Sequence, residues 1–205
     1  MKVVLASRNR GKLAEIVRLL GERAAGLQLV TIDEVAPQAR LDEDGDTFEA
    51  NALAKARQAA AATGLPAIAD DSGLEVDVLD GAPGVYSARY AGEPSDDQRN
   101  NQKLLAALRD VPPVRRTGRF RCVAAYVDPV TQIELVRAGA CEGQILAAPR
   151  GTLGFGYDPL FLVPHLGRTM AELPVDEKNQ LSHRAIAFRA LAAVLPAPLP
   201  AGSSR

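Results

Sequence analysis

Six short stretches of this chain place polar and ionisable side chains at spacings that suit phosphate, metal or heterocycle chemistry. The first is Ser7-Arg8-Asn9-Arg10-Gly11-Lys12, lying between an apolar run and a helical pattern. A strand, a small polar turn and a helix together present backbone N–H groups and a helix N-terminus to an anion. The turn is no Walker A loop, because it lacks the two glycines and Leu13 stands where Ser or Thr would hold Mg²⁺. An ordinary strand-to-helix loop with a polar cap explains it equally well. The second is the acidic loop Asp42-Glu43-Asp44-Gly45-Asp46, whose alternate aspartates resemble a calcium loop. Thr47 and Leu53 occupy the positions where an EF-hand needs glycine and a bidentate Glu, so calcium is excluded and Glu43 stays a metal candidate against a plain solvated loop.

Asn51 and Lys55 are four apart in a helical pattern and share a face, so an amide and an ammonium can reach one ligand. Asp70-Asp71-Ser72-Gly73 follows an apolar run. In extended backbone the two carboxylates point to opposite faces, so only one enters a given site. Carboxylates at a strand end suit Mg²⁺, which takes one or two of them together with water and substrate oxygens. Gly73 is expected to let the chain turn away, and a simple turn is the competing explanation. In Gly151-Thr152-Leu153-Gly154-Phe155-Gly156-Tyr157-Asp158-Pro159 an aromatic stands between glycines, where a planar ligand can approach its face. Glu177-Lys178-Asn179 and Ser182-His183-Arg184 bring donors to the start of the last helix. Only five of the 24 basic residues are lysines, yet Lys12, Lys55 and Lys178 all fall in these stretches. Lysine is the compact point charge for phosphate.

The elements that must carry these residues follow from periodicity. Lys2 to Ala6 reads as a buried strand, and Leu13, Ile16, Val17 and Leu20 recur at helical spacing. Leu27 to Ile32 is a second apolar stretch. Asp46-Thr47-Phe48-Glu49 resembles a capping box, with Asp46 as N-cap of a helix running through an alanine tract to Gly64. Pro66 to Asp70 reads as a short strand, Leu74 to Leu79 as a half-buried one, and Asp96 to Arg109 as a helix that Pro112-Pro113 ends. Arg119 to Val127 and Ile133 to Ala140 are expected as antiparallel partners, Leu160 to Val163 as a strand, and Ser182 to Leu195 as a helix. The mixture predicts an α/β fold around a mixed sheet.

The 205 residues suit one domain, or one with an added lobe, and 47% hydrophobic residues can bury an aliphatic core. Net charge −1 supplies no global field for nucleic acid or anionic lipid, so neither is expected as a partner. No apolar run approaches the roughly 20 residues of a membrane span. Cys122 and Cys141, without a CxxC or an adjacent histidine, read as buried thiols in a reducing cytoplasm.

In combination, SxNxxK near the N-terminus, Phe48 to Ala56, Ala69 to Gly92, Gly151 to Phe161 and Glu177 to Ala187 strongly resemble the inosine triphosphate pyrophosphatase family, over Val3 to Leu195. The resemblance implies hydrolysis of non-standard purine nucleoside triphosphates (ITP, dITP, XTP) to the monophosphate and pyrophosphate. It implies an elongated mixed sheet flanked by helices, with two lobes, a central cleft and a homodimer. By position, Ser7, Asn9, Lys12 and Lys55 would hold the triphosphate, within a substrate-binding loop that also includes Arg8, Arg10 and Gly11. Glu43 and Asp71 would serve a Mg²⁺ site, Asp71 also acting as base, and Ser72 would touch substrate. Phe155, Gly156, Tyr157, Asp158, Lys178, His183 and Arg184 would form the base pocket, Phe155 by stacking. One catalytic domain over 1–195 and a disordered tail over 196–205 are expected. Alternatives are a pyrophosphatase for modified pyrimidine or thymidine nucleotides and a non-catalytic nucleotide sensor. Glu43, Asp71, Lys12 and Lys55 argue against the sensor, which has no need of a base beside a metal.

Overall fold

A computed structural model describes residues 1–196, so the expected tail, beyond Pro196, lies outside the described residues. Seven strands form one mixed sheet in the order β2-β1-β3-β4-β5-β6-β7. They are β1 (Lys2–Leu5), β2 (Gln28–Thr31), β3 (Ala67–Val76), β4 (Thr117–Asp128), β5 (Ile133–Ile145), β6 (Phe161–Val163) and β7 (Arg168–Thr169). The first strand pairs in parallel with both β2 and β3 (Val4 opposite Val30 and Ala67), whereas β6 is antiparallel to β5 and β7. The helices are α1 (Arg10–Leu20), α2 (Ile32–Val35), α3 (Phe48–Thr63), α4 (Asp97–Ala107), α5 (Val175–Leu181) and α6 (His183–Ala192). The expected α/β architecture with a mixed sheet is therefore observed. No helix among the described residues is long and apolar enough to cross a membrane.

The chain divides into two compact units. One comprises residues 1–71, 123–138 and 185 onward, and the other residues 72–122 and 139–184. In the first, Val3, Val4 and Leu5 of β1, Ile16 of α1, Ile32 and Ile68 are fully buried, as expected for a parallel strand covered on both faces. In the second, Leu74, Leu104, Leu108, Phe120, Ile145, Leu160, Phe161 and Met170 make a core of larger side chains. Both cysteines are buried free thiols, as expected.

Several local expectations are corrected. The cap of α3 is Thr47, whose side chain accepts from the Ala50 N–H, one residue later than Asp46. Gly64, at φ 66°, closes that helix as expected. Val17 points outward at 40% exposure, while Leu19 takes the buried position beside Ile16 and Leu20. Gly73 does not turn the chain: Asp70-Asp71-Ser72-Gly73 stays extended inside the single strand β3, which continues to Leu74 and Val76, both fully buried. The strand ends at Val76 rather than Leu79. The segment before the last helix forms α5, which the sequence pattern did not disclose, and Ser182 is the hinge between α5 and α6.

Candidate active site

In the first unit, four elements converge on a cluster of two lysines and three carboxylates. Helix α1 begins at the polar turn: the Asn9 side chain accepts from the Lys12 N–H at 3.0 Å, and Ser7 Oγ accepts from the Asn9 N–H at 3.2 Å. These bonds cap α1 and aim Lys12 at Asp70, with Nζ 2.7 Å from Oδ1. The Arg8 guanidinium is committed elsewhere, donating to the carbonyls of Pro37 and Ala39. Arg10 and Gly11 are exposed in the first turn. So of the predicted loop, Lys12 and the backbone frame face the cluster through Asp70, while Arg8 fastens the following loop.

Along α3, Asn51 and Lys55 share a face as their spacing requires, and both are buried, at 1% and 6% exposure. The alanines around them permit this, because Ala52, Ala56, Ala59 and Ala60 bring the helix backbone close to its neighbours. Asn51 accepts from the Gly45 N–H at 2.8 Å and donates to Asp71 Oδ2 at 2.9 Å. Gln58 accepts from the Asp42 N–H, so α3 holds the acidic loop by its backbone. Half-buried Glu43 from that loop pairs with Lys55, whose Nζ also donates to the Asp70 carbonyl at 2.8 Å and lies 3.6 Å from Asp71 Oδ1. Extended backbone separates the two aspartates as expected: the Asp70 carboxylate meets Lys12, and that of Asp71 meets Asn51 and Lys55.

The electrostatics follow from this crowding. Burial alone would lower the Lys55 pKa, but Asp71, Glu43 and Asp70 together overcome it and hold the ammonium above its ordinary range. For Asp71, burial pushes the carboxyl above the usual carboxylate value, and Glu43 and Asp70 add to the rise against the pull of Lys55 and Asn51. A buried carboxyl with a raised pKa beside a fixed cation has the character of a general base.

In the second unit, a different set of groups surrounds the glycine-rich loop. Phe155 is 63% exposed, so it is no core residue. Lys178 Nζ lies 5.3 Å and Arg184 Cζ 5.8 Å from its ring centroid. Asp158, nearly buried, accepts from the Phe155 N–H at 2.9 Å and pairs with Lys178. Gly154, at φ 78°, permits this approach: a Cβ there would stand 2.0 Å from Asp158 Oδ2. Arg184 Nη2 donates to Ser72 Oγ at 3.3 Å. The His183 ring stacks on Phe120 at 4.9 Å, in the core. Tyr157 is also a core residue: its hydroxyl donates to the Ser87 carbonyl at 2.8 Å, and burial pushes its pKa far up. The structure thus brings Asp158, Lys178 and Arg184 to Phe155, joins Ser72 to Arg184, and turns the side chain of Tyr157 away into packing.

Two roles went unread in the sequence. The spacing separates the two aspartates without giving Asp70 a partner, and the structure pairs it with Lys12; Asn51 orients both the acidic loop and Asp71. For Asn51 the signal was present in its spacing from Lys55. For Asp70 no local pattern could supply it, because its partner is far away in sequence.

An α/β sheet whose central strand β3 carries two carboxylates met by Lys12 and the buried Lys55 defines a protein built to manage concentrated charge. The chain belongs to the Ham1 family, whose profile matches residues 3–194. It is 53% identical over 189 residues to the dITP/XTP pyrophosphatase of Desulforamulus reducens, covering 92% of each chain. To the dITP/XTP pyrophosphatase of Escherichia coli O157:H7 it is 52% identical over 194 residues, covering 93% of this chain and 95% of that protein. Among solved structures, the Staphylococcus aureus Ham1 protein superposes with a TM-score of 0.87 at 41% identity, covering 94% of this chain and 97% of that one. The Coxiella burnetii HAM1 protein gives 0.87 at 45%, covering 95% and 98%.

Proposed function

We propose that this chain hydrolyses non-standard purine nucleoside triphosphates, ITP, dITP and XTP, to the nucleoside monophosphate and pyrophosphate. The observation that carries the reading is the Lys55 cluster, in which one buried ammonium holds Glu43 and Asp71 beside it while burial raises the Asp71 pKa. Hydrolysis between the α and β phosphates needs a water aimed at the α-phosphorus and a counter-charge for the departing pyrophosphate. Asp71, fixed through Asn51, takes the proton of that water. Lys12 and Lys55 meet the phosphate oxygens, exchanging their carboxylate partners for substrate charge, with Ser7 and Asn9 shaping the loop that receives it.

The donors fit a divalent cation. Glu43 and Asp71 offer only hard oxygen ligands and make no cage of three or more among the described residues. Such a pair of carboxylates suits Mg²⁺, which would take its remaining ligands from substrate phosphate and water. Mg²⁺ bound there would supply charge neutralisation and orientation of the phosphates. Phe155 stacks on the purine, and Arg184, which can only donate, suits the O6 acceptor of hypoxanthine or xanthine and opposes the 6-amino group of adenine. Ser72, Asp158 and Lys178 complete the base pocket, with His183 behind it. One catalytic domain over 1–195, working as a homodimer in the cytoplasm, completes the reading. The test is to add ITP and Mg²⁺ and measure inosine monophosphate and pyrophosphate. Release of orthophosphate in place of pyrophosphate, or no turnover, overturns it.

A further inference from the structure

The stacking ring sits on a loop that is held at one point from outside. Gly156, the residue after Phe155, has both backbone groups bound by α4: its N–H donates to Asp97 Oδ2 at 2.7 Å, and its carbonyl accepts from Asn101 Nδ2 at 2.8 Å. The same Asn101 amide donates to the Asp97 backbone carbonyl one turn earlier at 2.9 Å, which fixes the Asn101 side chain on the turn that carries Asp97. Asp97 and Asn101 are four apart, which places them on one face of α4 as a fork. On the other side of Phe155, its own N–H is held by Asp158. The ring therefore projects from a short arc clamped at both ends, one end by Asp158 and the other by α4. Neither α4 residue is needed to cap the helix, since Asp96 does that through the Arg99 N–H.

We propose that Asp97 and Asn101 are positioning residues that hold the Phe155 ring in its stacking orientation, so that α4 sets how well the enzyme binds its purine. The proposal rests on the reading of Phe155 as the stacking group. A preset ring orders nothing on binding, whereas a loose loop must be ordered each time at a cost in affinity. The effect belongs to binding and leaves the phosphate chemistry alone. It should also be shared by every purine, because stacking does not read the exocyclic groups.

The experiment measures KM and kcat for ITP in Asp97→Ala, Asp97→Asn, Phe155→Ala and the Asp97→Ala/Phe155→Ala double variant. Losing one such hydrogen bond, about 1 kcal/mol, corresponds to roughly a fivefold rise in KM. Asp97→Ala should show that rise with kcat unchanged. Asp97→Asn, whose amide oxygen still accepts from Gly156, should stay within twofold of wild type. On the Phe155→Ala background the Asp97→Ala change should add less than twofold, because there is no ring left to position. A rise in KM that is equal in both backgrounds, or a fall in kcat, makes Asp97 a merely structural residue and overturns the proposal. If Phe155→Ala raises KM and Asp97→Ala does not, the clamp alone fails. If Phe155→Ala leaves KM unchanged, the stacking reading fails and takes the clamp with it.

Discussion

Replacing Asp71 by Asn removes one negative charge with almost no change of shape, and it should separate activity from stability in opposite directions. The carboxyl is 13% exposed, and its attraction to Lys55 at 3.6 Å is worth about 4–5 kcal/mol at an effective dielectric of ~20. Its pKa is nevertheless raised, with burial the largest cause and Glu43 and Asp70 contributing, so the costs of ionisation in the folded chain exceed that attraction. An acid whose pKa rises on folding leaves stability untouched at low pH, where both states are protonated. It removes stability as pH climbs past the unfolded value of ~3.9, and the loss is complete above the folded pKa. Asparagine carries no such penalty, and its amide oxygen can keep the bond from Asn51.

The variant should therefore melt at the wild-type temperature or a few degrees above it. Relief of an unfavourable group at a functional site is commonly about 0.5–2 kcal/mol, and each kcal/mol is worth about 2–4 °C in a chain of this size. Turnover should fall by about 10²–10⁴-fold, the contribution of a positioned general base. Calorimetry without added divalent cation, urea unfolding from pH 4 to 8, and pyrophosphate release at saturating Mg²⁺ measure the three quantities. The stability advantage of the variant must widen with pH and then level off. A variant that melts well below wild type would refute the argument from burial, and turnover within tenfold of wild type would remove Asp71 as the base.

The remaining tests address the other groups. Lys55→Ala leaves Glu43 and Asp71 without their shared cation, so it should abolish ITP hydrolysis and also lower the melting temperature; normal hydrolysis would make Lys55 purely structural. Lys12→Ala removes the ion pair of the buried Asp70 carboxylate and should weaken ITP hydrolysis more than it weakens folding, read from kcat/KM beside urea midpoints. Gly154→Ala drives a Cβ into Asp158 at a φ that alanine resists, so KM for ITP should rise at least about tenfold while kcat is kept. Arg184→Ala should lose the preference for ITP over ATP, which a pocket built for one hydrogen bond can hold at ~10⁴–10⁵-fold; comparing kcat/KM for ITP, XTP, GTP and ATP checks it, and an undiminished preference for ITP clears Arg184 of the role. Tyr157→Phe forfeits only the bond to the Ser87 carbonyl, so it should cost about 1 kcal/mol in urea and leave KM unchanged.

What could be read in the sequence follows the range of the forces involved. Strand β1, helix α1 and the span of α3 were visible because local periodicity and a C-terminal glycine determine them. The cap of α3 lies one residue beyond the expected Asp46 because Asp46 and Thr47 are both good caps, and local sequence does not choose between them. The continuity of β3 was hidden for a related reason. Asp-Asp-Ser-Gly has turn composition, yet it stays extended inside β3, between Ala67 and Ile68, which pair with β1, and the buried Leu74 and Val76, which carry the strand on. Tyr157 shows the limit from the other side: its place in a motif suggested contact with substrate, and only the packing reveals that the hydroxyl is already engaged.

The pairings around Lys55 and Lys12 carry the same argument into function. A lysine that merely decorated the surface of α3 would lie on its solvated face, where its charge has no structural consequence. Lys55 instead lies among alanines at 6% exposure, and the helix can bury it because Glu43 and the Asp70 carbonyl accept from its ammonium and the Asp71 carboxylate lies 3.6 Å away as a further counter-charge. Such a buried cluster is weak as a source of stability, since desolvation offsets most of the attraction. Its persistence in the fold is better explained by what it prepares: cations already desolvated and already aimed, so that an incoming phosphate exchanges one set of oxygens for another without reorganising water. Removing the whole cluster in favour of apolar residues should then give a more stable protein that binds no triphosphate. A quadruple variant Glu43→Leu, Asn51→Leu, Lys55→Met, Asp71→Leu tests this directly by urea unfolding and by equilibrium binding of ITP, and a fall in stability would show that the cluster is there to hold the fold.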